Sequence, residues 1–404
     1  MSELSQTKQK TTNYNGVNIT ELTDEDTTTR FTISGVDVSI ANGLRRIILS
    51  DIKSVVFRAF PHSESRITVK SNTSRINNEI IKQRISCVPI HITDVDFPID
   101  DHLVELTVHN TGDGIIFATS KDFKIKNLKT DSYLMDDAVR SIFPPDPISG
   151  DWIDLVRLRP NTHGHHKGEE IVLTAELDWG SQSDDGAYNA VSTCTYTNTI
   201  DPIEANKQWI IREKELKANM TSDGMETSKQ QLYMAKQDWN NLDAHRSFKN
   251  RSFDFSIEST GVWNNHYIVK LGCEAMIVRI RRFAAAIQTQ RSVLIQPSNT
   301  TIRNAFDITM HDEDYTLGKV IEHYLYNDYY LMDGVAASKA RPILTFCGFS
   351  KPHPHINESL IRLALTNTPD DINEIVNLVI SASNRAIDVY SNILQYFGSS
   401  RATA

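Results

Sequence analysis

Apolar and polar residues alternate over Val17-Asn18-Ile19-Thr20-Glu21-Leu22, the pattern of a strand with one buried face, and a second strand is predicted at Phe31-Thr32-Ile33. The run Ala41–Leu49 then takes helical spacing, with Leu44, Ile47 and Ile48 on one face and Arg45 and Arg46 directed elsewhere. A strand follows at Ile67–Val69, and a short helix at Glu79–Ile85 after the Asn-Asn turn signal at 77–78. Residues 90–200 are strand-rich, clearest at Leu103–Val108, Gly114–Ala118 and Ile171–Leu177, with Pro144-Pro145, Gly150 and Gly164 between the runs. Residues 204–250 are polar and rich in lysine, glutamine and methionine, an irregular or helical excursion. From Phe253–Ile257 the chain passes Gly261 into a long helix, where Val269, Cys273, Met276, Ile280, Phe283 and Ile287 recur every three or four residues as a packed seam.

Residues 289–303 lack such a pattern and carry Pro297-Ser298-Asn299, so they read as a linker. Beyond it the first pattern partly repeats. Phe306-Asp307-Ile308 precedes Thr316-Leu317-Gly318-Lys319-Val320-Ile321, as Phe31-Thr32-Ile33 precedes Asn42–Ile48. Strands are predicted at Ile343–Phe346 and Ser359–Leu365. A closing helix carries Ile372, Ile375, Val379, Ala382, Ala386, Val389, Ile393 and Tyr396 on one stripe. Thr368 is its expected N-cap, with Pro369 at the first helical position and Asp370 and Asp371 facing the positive end of the dipole. Each half thus offers a small sheet, a short helix and a long striped helix, and two such units invite face-to-face packing about a pseudo-twofold axis.

A chain of 404 residues exceeds what one core serves, so two or more packed units are expected. No apolar run approaches the roughly eighteen residues of a membrane span, and the opening MSELSQTKQKTTNYN has no secretory h-region. Residues 1–16 are therefore expected to be a mobile tail on an intracellular, soluble protein. Lys and Arg total 42 against 51 Asp and Glu, a net charge of −9 that disfavours extensive nucleic-acid binding. The cysteines at 87, 194, 273 and 347 form no CxxC pair and read as small buried apolar residues.

Candidate chemistry is sparse. His163, His165 and His166 lie together and can bind zinc or nickel, but without nearby cysteines or spaced acids a polar loop is the better reading. His353 and His355 flank Pro354, where packing and backbone bonding suffice. The pairs Asp100-Asp101, Asp136-Asp137 and Asp184-Asp185 read as solvated surface, and there is no Walker loop, GxSxG elbow or HExxH. An enzyme built on the β-rich stretch would need a convergent cluster of titratable groups, and none is evident. Arg45 and Arg46 fit either a solvated basic face or charge-assisted bonds across an interface.

The segment Ala41-Asn42-Gly43-Leu44-Arg45-Arg46-Ile47-Ile48-Leu49-Ser50-Asp51-Ile52 resembles the first helix of the α-subunit family of RNA polymerases, whose Asn-Ala-x-Arg-Arg motif faces a large catalytic subunit. Asn72-Thr73-Ser74 through Glu79, Arg84 and Val88-Pro89-Ile90 is similar to the family's second motif, a turn and helix ending in Ile-Pro. Phe253–Ile287, with Ile257-Glu258-Ser259 and Gly261, resembles the carboxyl end of the third-largest subunit of RNA polymerase II. Tyr315-Thr316-Leu317-Gly318 and Phe346-Cys347-Gly348-Phe349-Ser350-Lys351-Pro352-His353-Pro354 resemble motifs of its eleventh subunit. In cellular enzymes these partners are separate chains. Their union here is similar to the fused subunit of large cytoplasmic DNA viruses.

The resemblance implies an α+β fold of two pseudo-symmetric α-like dimerisation units packed in cis, with an inserted, mostly β domain. The first unit would take residues 17–93 and 204–290, the β domain 94–203, a linker 291–303 and the second unit 304–404. The function implied is a non-catalytic assembly platform that docks two large catalytic subunits and small accessory subunits, in host cytoplasm and virion if viral. Asn42, Leu44, Arg45, Arg46, Asn72, Thr73, Ser74, Glu79 and Arg84 would bind partners. Val269, Met276, Ile280, Phe283, Leu317, Ile372, Val379 and Ala386 would pair the halves. No catalytic residue, metal ligand, cofactor or membrane partner is implied. Departures are Gly43 for alanine, Tyr315 for histidine, the missing cysteine cluster, and a Gly180–Val191 loop without His-Ala-Lys-Trp. The alternative is a homo-oligomeric scaffold or metal-binding protein unrelated to transcription.

Overall fold

The computed structural model describes residues 16–25, 27–161, 168–222, 229–290, 294–331, 342–369 and 371–398. Its first elements are β1 (Asn18–Glu25), β2 (Thr28–Ser34), α1 (Val38–Ser50), β3 (Ser54–Val56), β4 (Ile67–Asn72), α2 (Asn78–Ser86), β5 (His102–His109) and β6 (Ile116–Thr119). There follow β7 (Phe123–Asn127), β8 (Ser132–Tyr133), α3 (Asp136–Ile142), β9 (Asp154–Leu158), β10 (Glu170–Glu176), β11 (Asp178–Gly180) and β12 (Val191–Ile200). The chain continues through α4 (Pro202–Ser222), α5 (Lys229–Asn241), β13 (Phe248–Ser259), α6 (Asn265–Thr289), β14 (Ile295–Pro297) and β15 (Ala305–His311). It ends with α7 (Tyr315–Leu325), β16 (Leu344–Ser350), β17 (Glu358–Leu365) and α8 (Ile372–Phe397).

Two compact units result. The first gathers residues 16–46, 194–257 and 273–398; the second gathers residues 47–193 and 258–272. In the first, the strand order β1-β2-β13-β12 makes one sheet and β14-β15-β17-β16 another. Alternation decides which faces are covered: Phe31 on β2 stacks on Phe255 of β13 at 5.4 Å and meets Phe397 of α8 edge-on. In the second sheet Ile308 of β15 stands opposite Ile361 of β17, both fully buried. Helix α8 hides Ile375, Val379, Ala382, Ala386 and Ile393, and each isoleucine or valine so buried contributes about 1.5–3 kcal/mol.

The second unit is built on the sheet β4-β10-β5-β7-β8, with β3–β11 and β6–β9 as separate ladders. Its core joins Phe57, Ile67, Ile85 and Val88 to Val104, Leu106, Phe123, Phe143 and Leu173. Residues 55–92 therefore share a core with the β-rich stretch, and the unit begins at Ile47 where the sequence reading divides the chain at 93/94. The cause is non-local: β4 pairs with β10 about a hundred residues later, and a hydrophobicity pattern carries no information about its partner.

Other expectations are corrected in detail. Of the two alternatives for residues 204–250, irregular or helical, the helical one holds for most of α4 and all of α5, with the Trp209 and Trp239 ring centroids 6.0 Å apart. The linker stretch contains β14, whose Ile295 pairs with Ile308, because three residues are too few for periodicity to register. The N-cap of α8 is Asp371, which accepts from Asn373 N, whereas Thr368 donates to Asn304. Cys87 is exposed and Cys347 half-buried; only Cys194 and Cys273 are buried. The turn motif begins inside β16, which runs on to Ser350. The tail before Gly16, residues 162–167 with the three histidines, residues 291–293 and Asp370 lie outside the described residues.

Candidate functional site

Helix α1 is set by Asp37, whose carboxylate accepts from Ser39 N at 2.8 Å. Its buried face requires a glycine. A Cβ at Gly43 would stand 2.7 Å from Tyr390 Oη, 2.9 Å from Met276 Cε and 3.3 Å from Val320 Cγ2. Helices α1, α6, α7 and α8 therefore converge on one point, and the absent side chain is what allows that approach. Tyr390 is fully buried, and its hydroxyl donates to Ile40 O at 3.1 Å. Of the residues expected to pair the halves, Val269, Met276, Ile280, Leu317, Val379 and Ala386 are fully buried, Phe283 nearly so, and Ile372 half-buried.

Beside this apolar centre sits a cluster of charges at the start of α7. Arg279 Nε donates to Glu313 Oε2 at 2.6 Å, and Arg282 Nη2 to Glu313 Oε1 at 3.1 Å. Arg46 Nη2 donates to Asp314 Oδ2 at 2.6 Å and its Nε to Thr316 Oγ1 at 2.7 Å. Asp314 also caps α7 by accepting from Thr316 N at 2.8 Å, and Arg279 Nη2 lies 3.7 Å from it. The Glu313 side chain is only 4% exposed. Burial pushes its carboxyl above the usual range, against the pull of Arg279 and Arg282. Burial also works to raise Asp314, but the Thr316 bonds and the two arginines outweigh it and the group is lowered.

The two successive arginines of α1 thus have different surroundings. Arg46 is engaged with α7. Arg45 rests on its own helix, its Nε and Nη2 donating to Asn42 Oδ1 at 3.1 and 2.9 Å, and no carboxylate among the described residues pairs with it. It lies near β12, where burial pushes the Cys194 thiol up to about 12 and Arg45 opposes the rise. Leu44 is fully buried, so its side chain belongs to the core and is not available to a partner.

The second motif is occupied in shaping its own unit. Asn72 Oδ1 accepts from Ser74 N at 3.0 Å and Ser74 Oγ at 2.7 Å, while its Nδ2 donates to Ile76 O at 2.8 Å, an Asx-type turn. Thr73 N donates to Glu170 O at 3.0 Å, and its hydroxyl accepts from Glu170 N at 2.8 Å. Arg84 Nη1 donates to Leu155 O at 2.7 Å. Glu79 is exposed and lines a cleft of about 930 Å³ with Phe60, Ile80, Lys82 and Cys87. The two sets of partner-binding candidates therefore lie in different units. Among the described residues no group of three or more histidine, cysteine or acidic side chains could hold a metal ion, and no helix is long and apolar enough to cross a membrane.

Sequence reasoning missed Glu313, Asp314, Arg279 and Arg282. The one available signal was the Asp-Glu-Asp run at 312–314 before a helix, which reads equally well as a capping turn.

The family model for the RNA polymerase Rpb3/Rpb11 dimerisation domain matches residues 30–279. The chain is 22% identical over 288 residues to DNA-directed RNA polymerase subunit Rpo3 of Pyrococcus furiosus, a match covering 68% of this chain and 98% of that subunit. It is 25% identical over 210 residues to a conjugation stage-specific protein of Tetrahymena thermophila, covering 46% of this chain and 60% of that protein. It is 27% identical over 216 residues to the RPAC1 subunit of DNA-directed RNA polymerases I and III of Saccharomyces cerevisiae, covering 46% of this chain and 59% of that subunit.

Proposed function

Because the chain belongs to the family of the RNA polymerase Rpb3/Rpb11 dimerisation domain, we propose that it is a non-catalytic assembly platform of a DNA-directed RNA polymerase. Its two α-like parts pair within one polypeptide, and the paired parts dock the two large catalytic subunits and smaller accessory ones. The observation that carries this reading is the convergence at Gly43, where α1 and α6 from before residue 290 meet α7 and α8 from after residue 304. Joining the parts covalently raises their effective concentration to about the millimolar range for a short linker, so the pairing is independent of dilution. The union of the parts in one chain, pseudo-symmetry between them and a viral source belong to this proposal. The chemistry of transcription would reside in the partners.

Docking is assigned to the half-buried Arg45, with Asn42 holding its guanidinium, and to the cleft lip at Glu79 and Ile80. A guanidinium fixed by one carboxamide, with no carboxylate paired to it among the described residues, is suited to an acidic side chain or carbonyl of a partner. The test is affinity purification of the tagged full chain from cells that express the polymerase, with mass spectrometry and light scattering of the eluate. Recovery of both large subunits in one particle is expected. Recovery of the chain alone, or as a concentration-dependent oligomer of itself, would overturn this reading in favour of a homo-oligomeric scaffold.

A further inference from the structure

Pairing of two similar parts poses a problem of specificity that apolar seams alone do not solve. Both α6 and α8 present stripes of aliphatic side chains, and such stripes bury as well against their own kind as against each other. The charges are distributed differently. Arg46, Arg279 and Arg282 all come from α1 and α6, while Glu313 and Asp314 both come from the turn entering α7. The corresponding turn into α1, Gly35-Val36-Asp37-Val38-Ser39, offers one carboxylate, and Asp37 lies 3.3 Å from His323 Nδ1. The one basic residue of α8, Arg385, is bonded to Asp328 within its own part.

We infer that Glu313 and Asp314, received by Arg46, Arg279 and Arg282, are the specificity determinant that makes residues 305–397 pair with the amino-terminal part and not with a copy of themselves. The inference rests on the internal pairing proposed above. Two amino-terminal parts set face to face would offer Arg46, Arg279 and Arg282 a single carboxylate, Asp37, at this position. Two carboxyl-terminal parts would bring Glu313 and Asp314 to a position where the second part has only Lys319, which is already bonded to Glu322. Either arrangement leaves charge of one sign in excess beside an apolar seam, whereas the mixed pair matches it. Arg279 and Glu313 carry most of the discrimination, since theirs is the most buried ion pair of the cluster. Such a device acts where many nascent chains are present and parts of different molecules can meet.

The experiment uses the full chain with a short protease site inserted after Asn299, in the turn between β14 and β15, and cleaved after folding. Light scattering and native mass spectrometry then report which fragments remain together on dilution. The cleaved wild type should stay a one-to-one complex. Cleaved Arg279→Glu and Glu313→Arg should each lose association by on the order of a hundredfold. The double charge swap Arg279→Glu with Glu313→Arg should recover most of it, which separates a lost code from a damaged fold. Dissociation of the cleaved wild type would overturn the internal pairing itself. A stable wild-type complex whose single reversals associate equally well, or whose double swap is no better than the singles, would overturn this inference and leave the pairing intact.

Discussion

The Tyr390 hydroxyl donates to the Ile40 carbonyl at 3.1 Å, joining residues 350 positions apart, and it occupies the space where a side chain at position 43 would begin. Alanine at 43 would improve helix propensity by about 1 kcal/mol. The Cβ would stand 2.7 Å from that hydroxyl, and overpacking a tight site costs about 1–3 kcal/mol. Gly43→Ala should therefore lower stability. Tyr390→Phe alone should cost about 1 kcal/mol for the lost bond, but in that background Gly43→Ala should cost markedly less. Urea midpoints of the four proteins measure the coupling, and an equal cost in both backgrounds would show that the hydroxyl is not what excludes alanine.

His323 supplies a pH dependence. Burial lowers its pKa, Asp37 opposes this, and Arg251 and Arg385 reinforce it while Asp328 works against them. A base whose folded pKa is depressed binds fewer protons folded than unfolded. Its contribution is complete above the ordinary histidine value of about 6.5 and is lost as pH falls from there through the lowered folded value. Denaturant midpoints taken from neutral pH downward should fall more steeply for the wild type than for His323→Gln. Parallel curves would mean that His323 titrates as in the unfolded chain.

Much of the architecture is legible along the chain because its signals are local. The three-and-four spacing from Val269 to Ile287 and from Ile375 to Ile393 states which residues are covered, and nearly all of them are. The charge cluster is not legible for the opposite reason. Arg46 and Asp314 are separated by 268 positions, and each alone resembles an ordinary solvated side chain. For the same reason Arg45 and Arg46 look equivalent in sequence, although one faces its own helix and the other reaches α7. Gly43 reads as a weakness in a helix until Tyr390 and Met276 are seen above it. The boundary near 47 depends on which strands pair, and pairing between β4 and β10 leaves no mark in either strand.

Met276 and Val278 allow the seam of α6 to be tested within three residues. Met276 is fully buried, whereas Val278 is 64% exposed. Met276→Asp places a carboxylate among apolar side chains, a cost of several kcal/mol even if the group takes up a proton. Val278→Asp should change stability by no more than about 0.5 kcal/mol. Thermal melts of the two variants at neutral pH make the comparison, and equal losses would contradict the orientation of this helix.

The last prediction separates the two arginines of α1. Arg46 bonds to Asp314 and Thr316, so Arg46→Ala should loosen the fold itself, by about 0.5–1 kcal/mol because the pair is partly exposed and screened. The hydrogen bonds of Arg45 go to Asn42 one turn back on its own helix, so Arg45→Ala should lower the melting temperature less than Arg46→Ala. Its effect should fall on assembly: truncating one side of a desolvated charge pair costs about 2–5 kcal/mol. Arg45→Lys should restore only part of this, since an ammonium cannot match a planar fork. Asn42→Ala should weaken docking less than Arg45→Ala, because the guanidinium survives but is no longer held. Each variant is to be melted alone and then used to capture the large polymerase subunits. Full capture by Arg45→Ala would remove α1 from the docking surface, and capture lost only together with stability would assign both arginines to the fold.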